Sequence, residues 1–151
     1  DRVGSVYRII DYKTGKVEPK DLKIGEIGLR GELEAADLKG KLLQLWLYKF
    51  LLVQSVHDQS NELFSGLDWR QLDVEPGIIS FRNLGEKVLS VAAPGLWFSE
   101  NQSMEAFMAE SIEVIQGWID RILDRATAFE KTKDVETCQY CDFKVICHRE
   151  I

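Results

Sequence analysis

The stretch YRIIDYKTGK, residues 7–16, changes character half-way along. From Ser5 to Lys13 the residues alternate as a half-buried strand does. Tyr7, Ile9, Asp11 and Lys13 share one face, and Val6, Arg8, Ile10 and Tyr12 share the other. Gly4-Ser5 is a turn signal, and DRV before it (residues 1–3) reads as the tail of a preceding strand. Residues 1–13 are therefore predicted to form a hairpin whose return strand brings Asp11 back to the level of Asp1, opposite or diagonal to it. Read alone, Asp11 and Lys13 are either a charged strand end or half of an active site.

Outward from this hairpin, TGKVEPKDLKIGEIGLRGELEA (residues 14–35) is polar and strewn with Gly, and reads as a long loop. Residues 36–54 read as a helix that is apolar nearly all round and so buried on most sides. Gln44 and Tyr48 are its polar exceptions, one turn apart on one face. GIISFR (77–82) and KVLSVAA (87–93) form a second predicted hairpin. Ser103 is a fitting N-cap for a long helix over residues 103–131. Met108, Ile112, Ile115, Ile119, Ile122, Ala126 and Phe129 make a continuous apolar stripe on it, read as core.

With 151 residues, 45% hydrophobic and 29% charged, the chain has the balance of one globular domain over residues 1–151. No apolar run reaches the roughly 18 residues of a membrane span. The opening DRVGSVYR is neither a secretory signal nor a start at Met, so the expectation is a piece of a longer protein. The net charge of −6 argues weakly against nucleic acid, but residues 1–30 hold seven Lys/Arg against five acids, a locally basic segment. The three Cys fall within the last fourteen residues. That odd, clustered count suits a cytosolic metal site better than a secreted disulfide framework.

Three constellations could carry chemistry. Two carboxylates, Asp1 and Asp11, at the end of a hairpin suit a hard divalent cation, with the backbone carbonyl of Tyr12 as a third oxygen. Such an ion polarises a phosphodiester and acidifies a bound water, and Lys13 would orient that water or stabilise the charge growing on phosphorus. The plain alternative is a surface salt bridge, worth roughly 0–1 kcal/mol. Gln44 and Tyr48 either mark a wet helix edge or point into the cleft. Cys138, Cys141 and Cys147 in TCQYCDFKVICHR have the spacing C-x₂-C-x₅-C, three thiolates of the four that zinc or a cubane iron–sulfur cluster needs. His148 is adjacent to Cys147 and unsuited to share its metal, so the alternative is three reduced Cys in a tail.

Taken together and in order, DRV, IIDYKTG, QLWLY and CQYCDFKVIC resemble the nuclease domain of the PD-(D/E)XK superfamily, and within it the RecB/AddB-like exonucleases. The resemblance spans the chain, anchored at four points. It implies an α/β fold of restriction-endonuclease type, a mixed sheet flanked by helices. It implies Asp1, Asp11, Lys13, Gln44 and Tyr48 as site residues, with Mg²⁺ or Mn²⁺ at Asp1, Asp11 and the Tyr12 carbonyl. It further implies DNA hydrolysis leaving 5′-phosphates. Cys138, Cys141 and Cys147 would ligate an iron–sulfur cluster whose fourth ligand lies outside this chain. A helicase–nuclease partner at double-strand breaks and a bacterial cytoplasmic location are implied too. Gly4 departs from the pattern, standing where a second acid often follows DRV, and the upstream His or acid and the fourth Cys have no counterpart here. The alternative is a nuclease-like module that binds DNA or a helicase without cutting, or a platform latched by its tail.

Overall fold

In the computed structural model the hairpin forms where the alternation places it. The structure describes residues 1–26, 28–35, 39–60, 62–83, 85, 87–91, 103–128, 130–133 and 135–149, with backbone only at Thr137. Strand β1 (Arg2–Val3) turns into β2 (Val6–Lys13). Gly4 occupies the tight turn with φ +62°, a conformation that costs an L side chain but not glycine. The β1–β2 register is Arg2 with Tyr7 and Val3 with Val6.

β2 runs parallel to β3 (Asp73–Ser80), residue for residue from Val6–Asp73 to Lys13–Ser80. β3 then pairs antiparallel with the short β4 (Leu89–Ser90), giving a mixed sheet in the order β1-β2-β3-β4. This is the mixed α/β sheet that the resemblance implies. β3 starts four residues before the expected strand because Pro76, a presumptive breaker, is tolerated there. β4 covers only Gly77 and Ile78, so at Pro76 the strand is still an edge. At Gly77 β4 comes so close that an added Cβ would lie 2.5 Å from Val88 Cγ1 and 3.2 Å from the Leu89 carbonyl oxygen.

The segment read as a loop holds a 3₁₀ turn (Pro19–Leu22) and helix α1 (Gly28–Glu34). Two glycines weaken the local helical signal at α1. Tertiary contacts outweigh it: Leu33 is buried, and the Glu32 carboxylate accepts the Gly25 N–H (2.8 Å) and pairs with Lys39 (2.8 Å).

Helix α2 spans Gly40–His57. The start expected at residues 36–38 lies outside the described residues, and the helix runs three residues beyond the expected end. It closes on a left-handed Gln59 (φ 51°), with Gln59 N–H on the Val56 carbonyl (3.2 Å) and Ser60 N–H on the Ser55 carbonyl (3.0 Å). Leu42, Leu45, Trp46, Lys49, Val53 and Val56 are buried, while Leu51 is exposed. Leu45 packs with Ile78 of β3, Val17 and Leu22, and Tyr48 and Leu89 flank this cluster.

Helix α3 spans Met104–Leu123, capped by Ser103, whose Oγ accepts the Ala106 N–H (3.2 Å). It stops eight residues short of the expected Lys131. The Asp124 carboxylate accepts both the Ala126 N–H (2.9 Å) and the Thr127 hydroxyl (2.5 Å), a local alternative to another helical turn. The buried residues of α3 are Phe107, Met108, Ser111 and Val114. Of the expected core stripe, Ile112, Ile119 and Ile122 are exposed, and Phe129 lies outside the described residues. The reason is Trp46, whose buried indole N–H needs an acceptor and finds Ser111 Oγ at 3.1 Å, which turns the Ser111 face inward.

The chain divides into two compact units, Asp1–Gly117 and Trp118–Ile151. Within the second lies α4 (Val135–Gln139), followed by turns through the Cys segment. No helix among the described residues is long and apolar enough to cross a membrane.

Candidate active site

Pleating puts Asp11 and Lys13 on the face of β2 that looks toward α2, beside Ile78 and Leu45 of the core. There the carboxylate and the ammonium meet: Lys13 Nζ lies 2.9 Å from Asp11 Oδ2, with Asp11 16% and Lys13 30% exposed. Two residues apart on one strand, they are neighbours by geometry alone. The third partner comes from α2. Lys13 Nζ donates to Gln44 Oε1 at 2.6 Å, and Gln44 Nε2 donates to the Tyr48 hydroxyl oxygen at 2.5 Å. The i, i+4 spacing of Gln44 and Tyr48 thus builds a relay from strand to helix.

The relay has a direction. Gln44 spends its oxygen on the ammonium and an amide hydrogen on the phenol oxygen. The Tyr48 O–H and the ammonium hydrogens of Lys13 that Gln44 does not take then remain to donate. Asp11 Oδ2 is buried and within ion-pair range of Lys13, yet it accepts no aligned hydrogen bond.

Asp1 is placed elsewhere. In the β1–β2 register it stands opposite Arg8, whose N–H donates to the Asp1 carbonyl (2.9 Å). Its carboxylate takes both arms of the Arg8 guanidinium, at 2.9 Å and 2.5 Å. Arg8 belongs to the face opposite Asp11, so the two carboxylates do not share a side of the sheet. The hairpin turn fixes this: a two-residue turn at Gly4-Ser5 sets Asp1 three residues short of Asp11.

Lys41 escaped the sequence reading. It precedes Gln44 by three residues and Tyr48 by seven, so all three fall on one helical face. Asp21 fixes it at 2.9 Å. The Glu18 N–H and then Lys41 hold the Asp21 carboxyl below its usual range. The spacing K-x-x-Q-x-x-x-Y was the available signal.

In the second unit, Cys138 is buried, and its sulfur accepts an N–H from Arg149 at 3.1 Å. Cys141 and Cys147 are half-buried and free of disulfides. Among the described residues no group of three or more His, Cys, Asp or Glu side chains stands close enough to hold a metal ion, so the three thiols do not converge. His57 is bound to Asp58 (2.7 Å) and edges onto Trp69.

A family model for the PD-(D/E)XK nuclease superfamily matches residues 1–148. The chain belongs to the PD-(D/E)XK nuclease superfamily. No curated protein matches it, and no solved structure does. Nucleases of this superfamily usually use divalent metals such as Mg²⁺. The donors available on the strand fit a hard cation in kind: a carboxylate oxygen of Asp11 that lacks a hydrogen-bond partner, and the neighbouring Tyr12 carbonyl. Thiolates are donors that an iron–sulfur cluster takes, and among the described residues Cys138, Cys141 and Cys147 do not stand together as a metal-binding group.

Proposed function

We propose that this superfamily member is a metal-dependent DNA exonuclease domain of the RecB/AddB-like kind. The carrying observation is the Lys13 ammonium held between Asp11 and Gln44, with Tyr48 completing the relay. Asp11 and the Tyr12 carbonyl would hold Mg²⁺, which keeps most of its waters and supplies phosphoryl polarisation and an acidified water. Lys13, pinned by two partners, turns its remaining N–H to the attacking water or to the charge that builds on phosphorus. Gln44 keeps the ammonium from collapsing wholly onto Asp11. The Tyr48 hydroxyl donates to a non-bridging phosphate oxygen. Water adds to phosphorus, the 3′-oxygen leaves, and the 5′-phosphate remains on the released strand.

The order of the four motifs supports the finer reading: work with a helicase–nuclease partner at double-strand breaks, and thiolates Cys138, Cys141 and Cys147 serving an iron–sulfur cluster. The cluster rests on the C-x₂-C-x₅-C spacing alone.

One observation favours a second reading. The Asp1 carboxylate is engaged by Arg8, which leaves Asp11 as the acidic side chain on the Lys13 face of β2. A nuclease-like module that grips DNA without cutting would look the same.

Incubation with linear and closed-circular DNA in Mg²⁺ separates the two. The exonuclease degrades the linear form, spares the circle and stops in EDTA. Binding of both forms with neither degraded would establish the module instead.

A further inference from the structure

Tyr12 sits between Asp11 and Lys13 in the chain, and its ring faces the other side of the sheet. It stacks on Phe81, with ring centroids 6.0 Å apart and planes inclined by 22°. The pairing explains the meeting: Tyr12 is in register with Ile79, and Phe81 lies two residues on, the same-face diagonal neighbour. The Phe81 N–H donates to the Lys13 carbonyl at 2.9 Å, which ties the pair to the strand carrying the relay.

The pair is bare. Tyr12 is 62% exposed and Phe81 54%. An exposed Arg82 follows Phe81, and Lys16, past the end of β2, pairs with Glu18 at 2.7 Å, while Lys13 belongs to the opposite face. Two exposed, stacked ring faces on the strand ends that carry Asp11 and Lys13 match what an unpaired strand offers, flat bases that are not already stacked. In a duplex those base faces are already stacked on each other.

We infer that the Tyr12–Phe81 pair is a stacking platform for an unpaired base of single-stranded DNA entering the site. This rests on the nuclease reading for its location but is read out by binding, without cleavage. Replacing Phe81 removes half the platform and leaves the backbone bond to Lys13 in place.

The test uses the full chain in EDTA and a fluorescent single-stranded probe of about 12 nucleotides, followed by anisotropy. Phe81→Ala is expected to weaken binding by about 5- to 150-fold, with Phe81→Trp restoring it and a duplex of the same length unaffected. Wild-type protein is expected to bind an abasic version of the probe as weakly as the variant binds the normal one. Equal affinity for normal and abasic probes overturns the inference, whatever the variant does. So does an equal loss on single strand and duplex, or a lost melting temperature with affinity unchanged, which would make the pair a structural stack covered by protein. Failure of cleavage in Mg²⁺ with this binding pattern intact would count against the nuclease reading alone.

Discussion

At the scale of single residues, the site is a set of donors aimed by their neighbours. On the proposed reading Gln44 is a positioning residue. Without its oxygen, Lys13 has only Asp11 to bind, and the ammonium moves toward the carboxylate. Gln44→Ala is therefore expected to lower kcat by about 10- to 100-fold with little change in KM for DNA, and Gln44→Glu to restore part of it. A rise in KM alone would assign Gln44 to binding. A second residue, Lys49, is buried at 5% exposure in α2, with its ammonium 5.1 Å from the Phe107 ring centroid. Burial lowers its pKa to about 7, and Asp73 opposes the shift. The sign follows from proton counts. Between about pH 7 and the unfolded value of 10.5 the unfolded chain holds a proton that the folded one has released, so stability rises with pH across that window. Urea midpoints are expected to be higher at pH 9 than at pH 6.5, and Lys49→Met to flatten the difference. A midpoint that falls with pH in the wild type but not in the variant would refute the assignment.

At the scale of elements, β2 and α2 carry the proposed site, and β3 with β4 pair alongside β2. Gly77 is where that support is tightest, because any Cβ there meets Val88 Cγ1 and the Leu89 carbonyl oxygen. Gly77→Ala is expected to destabilise the fold by about 1–3 kcal/mol, seen as a lower urea midpoint. A neutral result would mean that β4 yields freely. The elements also show what a sequence conveys. β2 announced itself through strict alternation, and the α2 face with Gln44 and Tyr48 through helical spacing, because both signals are local. α1 was hidden by its glycines, since what holds it is Glu32 bound to Gly25 and Lys39 on either side, and the burial of Leu33, rather than helical propensity. The stripe on α3 held at Met108, which is buried, but not at Ile112, Ile119 and Ile122, which are exposed. Trp46 needed an acceptor and took Ser111, a choice no periodicity within α3 could reveal. Asp1 failed for a similar reason: proximity across a hairpin depends on register, and a two-residue turn set it opposite Arg8.

At the scale of the whole molecule, an acidic chain of net charge −6 carries its basic segment where the strand end and the candidate site lie. That placement suits a polyanionic substrate drawn to one region of an otherwise repelling surface. Superfamily membership over residues 1–148 points to nuclease chemistry, and the Asp11–Lys13–Gln44–Tyr48 relay is where the chain would perform it. The most direct measurement is single-turnover cleavage of end-labelled linear DNA in Mg²⁺ by the full chain and by Asp11→Asn and Lys13→Met. Each variant is expected to lose about 10²-fold or more in rate while still binding the DNA. Cleavage at the wild-type rate in either variant would contradict the account.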